Sequence, residues 1–243
     1  ELLAQAVTGY HRWVSAQADE FLTETGKFVT LVKAGEVEKA KALYPTARSY
    51  WERIEPVAES FADLDPLIDG REDVVAEGME FTGYHRLEKD LWVDGLQADT
   101  NAMADRLLAD VTQLVTKVKA TELNALQLAN GSKALLDEIA TGKITGEEER
   151  YSHTDLWDFE ANFEGSKAAI AQLRPFLEDK DPQLVAAIDA SSTALGELLE
   201  SYRVGDGFAL YTDLTPADIK KLTVSIDDVA EQVAKGAGPG GAG

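Results

Sequence analysis

Cysteine is absent from all 243 residues, which removes disulfides and thiolate metal ligands and is in keeping with an exported bacterial protein. Long apolar runs are absent too: nothing approaches the roughly 20 residues that a membrane-spanning helix needs. Basic residues are scarce. Lys and Arg number 23 against 44 Asp and Glu, so the formal net charge is −21, and there are three histidines. Such a surface repels nucleic acid and anionic lipid, and it concentrates cations in any cleft it lines, although solubility alone accounts for an acidic balance equally well. Any metal site has to draw on carboxylates, histidines, tyrosines or water. Enzyme signatures are missing as well. There is no cysteine nucleophile, GxSxG elbow, phosphate-cradling glycine loop, HExxH zinc helix or dinucleotide fingerprint. No trio of base, nucleophile and orienting group stands out, so a non-enzymatic role is expected. The first residue is Glu1 rather than Met, which suggests a mature or trimmed form.

What remains is helical. The composition, 44% hydrophobic and 28% charged, is that of a globular chain long enough for one large core or two small ones. Over 2–32, Val7, Tyr10, Val14, Ala18, Phe21 and Phe28 recur largely at spacings of three or four, and Gly35 ends the helix. A second helix starts near Glu36, is broken or kinked at Pro45, and continues to Phe61 with Tyr50, Trp51, Ile54, Val57 and Ala58 on its apolar face. Residues 63–70, DLDPLIDG, read as a loop. Further helices are predicted over 72–92, 97–121, 123–139, 155–173 (stopped by Pro175), 182–202 and 216–235, and no strand survives the pattern. Eight helices joined by short turns imply an all-α fold of two antiparallel four-helix bundles. The expected domains are 1–121 and 122–235, followed by a disordered Gly-rich tail over 236–243.

Three constellations carry candidate chemistry. In Glu52-Arg53-Ile54-Glu55-Pro56 the two carboxylates stand at i, i+3 on one helix face, where they repel unless a cation or proton sits between them. A solvated acidic face is the plainer alternative. His85-Arg86-Leu87-Glu88 is an HxxE pattern, the spacing used by metal sites in helical bundles but equally that of a hydrogen-bonded core histidine. In Glu147-Glu148-Glu149-Arg150-Tyr151-Ser152-His153-Thr154-Asp155, residues 152, 154 and 155 suit helix capping, which leaves Glu149, Tyr151 and His153 for function. Asp69, beside Gly70, either turns toward a ligand or caps the next helix.

Taken in order, Glu52-Arg53-Ile54-Glu55-Pro56, Asp65-Pro66-Leu67-Ile68-Asp69, Glu80 to Trp92 around His85 and Glu88, and Tyr151-Ser152-His153-Thr154-Asp155-Leu156 resemble the imelysin-like (HxxE, peptidase-like) domain of the EfeO/EfeM iron-uptake proteins. The resemblance reaches about residue 234 and implies a cleft between the two four-helix bundles. It implies a periplasmic or cell-surface component of an EfeUOB-type iron uptake system that works with a membrane iron permease and a haem peroxidase. It further implies Glu52, Glu55 and Asp69 as one metal-binding group, Glu149 as a ligand from the other half of the chain, and His85 and Glu88 as ligands or a second site. Iron, Fe²⁺ or Fe³⁺, is the implied ion, with zinc, copper or calcium as other candidates. No cupredoxin-like domain of the kind EfeO proteins often carry is included, so a shorter EfeM type or a trimmed chain is expected, and copper-dependent iron oxidation is not.

A relative described as alginate-binding makes a carrier of acidic polysaccharide the alternative, with a bridging cation or a local patch such as Lys39, Lys41 and Arg48 overcoming the negative charge. A metallopeptidase acting through Glu88 is a third reading. Carboxylates with one histidine favour hard or borderline cations over thiolate-seeking ones.

Overall fold

A computed structural model describes residues 1–73 and 78–236. Ten α-helices account for most of them: α1 Leu2–Lys33, α2 Val37–Arg53, α3 Glu55–Ala58, α4 Asp65–Asp69, α5 Tyr84–Lys89, α6 Thr100–Ala120, α7 Ala125–Glu138, α8 Asp155–Lys180, α9 Pro182–Glu200 and α10 Pro216–Gly236. The all-α expectation holds. Among the described residues no helix is long and apolar enough to cross a membrane.

Two compact units share the chain, and they interleave along it. One comprises residues 14–121 and 148–153; the other comprises 1–13, 122–147 and 154–243. This division differs from a single cut after residue 121: the first turns of α1 go with the C-terminal helices, and the short segment 148–153 goes with the N-terminal ones.

In the C-terminal unit, α7–α10 surround Leu136, Phe159, Phe163, Ile188, Leu195, Leu222, Ile226 and Val229, all buried. Each fully buried side chain of this size contributes about 1.5–3 kcal/mol in transfer free energy. Helices α7 and α8 approach closely because Gly131, Ser132, Gly165 and Ser166 are small, and the Ser132 and Ser166 hydroxyls satisfy each other at 2.9 Å inside the seam.

The N-terminal unit is built on aromatic rings. Phe21 and Phe28 of α1, Tyr44 and Trp51 of α2, Tyr84 of α5 and Trp92 lie with neighbouring ring centroids 5.2–6.0 Å apart. Such pairs add about 0.5–1.5 kcal/mol each beyond burial. Thr25 and Tyr84 share a buried hydroxyl bond of 2.5 Å, which orients the Tyr84 ring.

Several local expectations meet corrections. Helix α2 runs through Pro45. A proline there forfeits one backbone bond and costs about 3 kcal/mol, which the burial of Tyr44, Ala47, Arg48 and Trp51 around it outweighs. The break comes at Ile54 instead (φ −118°, ψ 15°), because the ring of Pro56 clashes with the carbonyl four residues back. Likewise α8 passes through Pro175, since Phe176 and Leu177 beyond it are buried. The supposed loop at 63–70 contains α4, anchored by fully buried Ile68.

Among the described residues of the helix expected over 72–92, α5 starts at Tyr84 and finishes as a π-helical turn, Asp90–Asp94, and Gly78 and Gly83 with φ near +86° keep 78–83 from joining it. The stretch 74–77 lies outside the described residues, as does the expected Gly-rich tail from residue 237 on. A two-residue hairpin, β1 Arg203–Val204 with β2 Gly207–Phe208, was not anticipated. It turns on Gly205 (φ +59°) and needs Gly207, where a Cβ would stand 2.4 Å from the Trp157 ring.

Gly83 matters most for the site described next, because it sets α5 against α4. A Cβ there would lie 2.4 Å from the Ile68 carbonyl oxygen and 2.5 Å from that of Leu67, and φ is +85°. Both obstacles are backbone, so nothing nearby yields. Gly83→Ala is expected to destabilise the protein by about 3 kcal/mol, from strain and overpacking together. Urea unfolding followed by circular dichroism checks this; a loss under about 1 kcal/mol would show that α4 and α5 separate easily.

Candidate metal centre

Helix α2 carries Tyr44, Arg48 and Glu52 at successive i, i+4 positions, a single stripe facing the interior of the N-terminal unit. The Arg48 side chain is wholly buried, with 0% exposure, and its guanidinium is the hub of the cluster. Nε donates to Glu149 Oε1 at 2.6 Å, Nη1 to Asp69 Oδ1 at 2.7 Å, and Nη2 to Glu52 Oε1 at 2.7 Å and Glu148 Oε1 at 3.4 Å. Its Cζ lies 5.7 Å from the Tyr84 ring centroid.

His85 and Glu88, one turn apart on α5, form the second focus. His85 Nδ1 is 3.0 Å from Glu88 Oε1, while Nε2 is 3.1 Å from Asp69 Oδ1 and 3.2 Å from Glu148 Oε1. Glu88 Oε2 accepts from the Ser152 backbone N–H at 2.9 Å and the Ser152 hydroxyl at 2.7 Å. Tyr44 donates its hydroxyl to Glu149 Oε2 at 2.7 Å.

All six residues singled out in the sequence, Glu52, Glu55, Asp69, His85, Glu88 and Glu149, therefore lie in one unit. Three overlapping sets bring their ligand atoms within 4.8 Å of one another: Glu52, Glu55 and Asp69; His85, Glu88 and Glu149; and Asp69, His85 and Glu148. Glu52 and Glu55 converge without sharing a continuous helix face, because the break at Ile54 separates α2 from α3. Asp69 ends α4 and turns to Arg48 and His85 rather than capping another helix. Segment 148–153 reaches the cluster through the turn closed by the bond from His153 N–H to the Glu149 carbonyl at 2.7 Å, with His153 at φ +62°. Thr154 takes the N-cap position of α8 without a side-chain capping bond, and Ser152 serves Glu88 instead of a helix end.

The sequence reading missed Tyr44, Arg48, Glu148 and Ser152 as parts of this cluster. The stripe 44–48–52 was available as a signal, but a stripe does not say which face is buried. Arg48 does not belong to a surface patch with Lys39 and Lys41. Its burial removes it from any surface, so that patch has no central cation.

Charge is the dominant feature. Six carboxylates, Glu52, Glu55, Asp69, Glu88, Glu148 and Glu149, gather around the Arg48 guanidinium and the His85 imidazole, with Arg71 Nε 3.9 Å from Glu148 Oε2, and four of the six are buried. Burial opposes the charged form of His85, and so does Arg48, yet Glu149, Asp69 and Glu148 outweigh both and hold its pKa well above the ordinary value. Burial alone would raise the Glu88 carboxyl, but the bonds from His85 and Ser152 keep it below the usual range. The Tyr44 phenol is lifted by burial first and by Glu149 and Glu88 next. Asp65, at the start of α4, is pushed up to about 7 by burial and then by Asp69, Glu59, Glu148 and Glu52. The donor set, oxygen-rich with one imidazole, fits a hard or borderline divalent or trivalent cation, whose charge would relieve the repulsion.

These shifts fix a direction for pH. A carboxyl whose folded pKa is about 7, against roughly 3.9 unfolded, loses its stabilising contribution as pH climbs from about 4 through 7. The raised His85 contributes fully below its unfolded value, about 6.5, and loses that contribution as pH rises through its folded value. The metal-free protein is therefore expected to lose thermal stability between pH 5.5 and 8, and Asp65→Asn should shrink that loss. Melting temperatures of chelator-treated wild type and variant at the two pH values check it; an identical pH slope in both proteins would refute the role of Asp65.

Over residues 6–235 the sequence matches the imelysin (peptidase M75) family. Its relatives include the iron uptake system component EfeO of Escherichia coli O157:H7, of Escherichia coli strain K12 and of Shigella flexneri, each 43% identical over 236 residues, which is 96% of this chain and 63% of the relative. The chain thus spans about 63% of the length of these curated relatives. They are named as uptake components, while the family label mentions a peptidase. With the match running through nearly the whole of an all-helical chain, this protein belongs to the imelysin family.

Proposed function

We propose that this protein binds iron as cargo for a bacterial iron uptake system, through Glu52, Glu55, Asp69, His85, Glu88 and Glu149 with Glu148 beside them. The observation that carries the reading is the convergence of buried and half-buried carboxylates with the His85 imidazole in one unit. Carboxylates brought this close repel one another and favour a cation between them, and the ligand atoms already lie within 4.8 Å of one another in three sets. The names of the relatives support iron as the cargo, with Fe²⁺ and Fe³⁺ both suited to the donors. A periplasmic or cell-surface location, with a membrane permease and a haem peroxidase as partners, completes the proposal.

Binding is favoured over hydrolysis by the geometry at Glu88. Both of its oxygens are engaged, one with His85 and the other with Ser152, so it is poorly placed to activate water as a general base. His85 is also the lone imidazole among the three carboxylate-rich sets found in the described residues, whereas a zinc hydrolase helix supplies two.

Isothermal titration of chelator-stripped protein with anaerobic Fe²⁺, ferric citrate, Zn²⁺ and Ca²⁺ tests the reading. Saturable iron binding is expected, weakening as pH falls because the ligands must shed protons. Glu52→Ala combined with Glu55→Ala should weaken it by about 100-fold or more while the helical spectrum is kept. No iron binding by the wild type, or unchanged affinity in the double variant, would overturn the assignment.

A further inference from the structure

We propose that Arg48 is a resident counter-cation that an arriving metal ion must displace from its carboxylates, so that this side chain holds the affinity of the site down and favours release of the cargo. The inference rests on the metal-binding reading above and concerns its regulation.

The contacts argue for displacement rather than mere support. Every one of the three sets of converging ligands includes at least one carboxylate held by Arg48: Glu52 and Asp69 in the first, Glu149 in the second, Asp69 and Glu148 in the third. The guanidinium also holds the oxygens that converge. Asp69 Oδ1 is 2.7 Å from Arg48 Nη1 and 3.1 Å from His85 Nε2. Glu148 Oε1 is 3.4 Å from Arg48 Nη2 and 3.2 Å from the same imidazole nitrogen. The remaining oxygen of Glu149 is taken by the Tyr44 hydroxyl. A cation that collects oxygens from these sets competes with a guanidinium already bonded to them, and the two repel each other at close range in a buried setting.

Linkage turns this into a statement about affinity. Whatever free energy the Arg48 bonds lend to the metal-free state, and lose in the loaded one, is subtracted from cation binding. Removing the guanidinium should therefore destabilise the empty protein and tighten the loaded one. A purely positioning role gives the opposite sign, since scattered carboxylates would bind more weakly.

The test compares wild type, Arg48→Gln and Arg48→Lys by titration with Zn²⁺ and anaerobic Fe²⁺, alongside melting temperatures with and without the ion. The expected result is a lower metal-free melting temperature for Arg48→Gln, a larger upward shift on adding metal, and at least about tenfold tighter binding, with slower dissociation. Arg48→Lys, which keeps the charge but loses the fork, should fall between the two. Equal or weaker binding by a folded Arg48→Gln overturns the inference while leaving the metal site standing. Absence of wild-type binding overturns the site itself. Should Arg48→Gln fail to fold without metal, the Arg48 Nε–H resonance of the wild type decides the matter. It should shift and exchange faster with water as Zn²⁺ is added, and an unmoved, protected resonance in the zinc-loaded protein overturns the displacement.

Discussion

Two carboxylates about 4 Å apart repel by roughly 4 kcal/mol at an effective dielectric constant near 20. Six of them crowd one unit here, in a chain whose net stability should be of the order of 5–15 kcal/mol. The guanidinium of Arg48 makes this arrangement tolerable without metal, and much of the N-terminal unit follows from holding it in place. Its position requires α2 to stay helical through Pro45, so that Tyr44, Arg48 and Glu52 form one stripe. It also requires the rings of Tyr44 and Tyr84 beside it, which exclude water and strengthen each of its bonds.

The aromatic core and the acidic cluster are therefore one device. Tyr44 belongs to both: its ring packs on Phe28, Tyr84 and Trp92, and its hydroxyl donates to Glu149. Tyr84 precedes His85 in the chain, so the rotation of α5 that buries the ring also fixes the direction of the imidazole. Gly83 and Thr82 tie that helix to α4, where Thr82 donates to the Leu67 carbonyl at 2.9 Å. A rigid apolar scaffold thereby controls ligand spacing, which is the condition for a buried polar site to be specific rather than merely acidic.

Much of this was legible in the sequence. Periodicity gave the long helices because helical amphipathicity is a local property, and the motif around His85 and Glu88 was visible as spacing. Prolines misled, since Pro45 and Pro175 carry a local cost that tertiary burial of Tyr44, Arg48, Phe176 and Leu177 outweighs. The hairpin at 203–208 was too short to give an alternating pattern. Arg48 was misread because a lone arginine in an acidic chain looks like surface, and only the convergence of four elements on it reveals otherwise. The part played by segment 148–153 was likewise hidden, because its partners are Glu88, some 60 residues earlier, and residues of α2, about 100 residues earlier.

A different division of the chain would break the site apart. A cut after residue 121 looks natural, as α6 ends there and the α7 capping box of Asn124 and Gln127 follows. Yet such a cut would strip Glu148, Glu149 and Ser152 from the cluster. Arg48 would lose the partner of its Nε, Glu88 would lose both donors to its second oxygen, and Tyr44 would be left with a buried hydroxyl and no carboxylate to receive its proton. Each is a buried polar group deprived of its bond, at about 1–3 kcal/mol or more where charge is involved. The interleaving of the units thus serves the electrostatics of the site: the chain returns to the N-terminal helices, where Glu149 completes a guanidinium already bonded to Glu52 and Asp69, and Ser152 completes a Glu88 already bonded to His85.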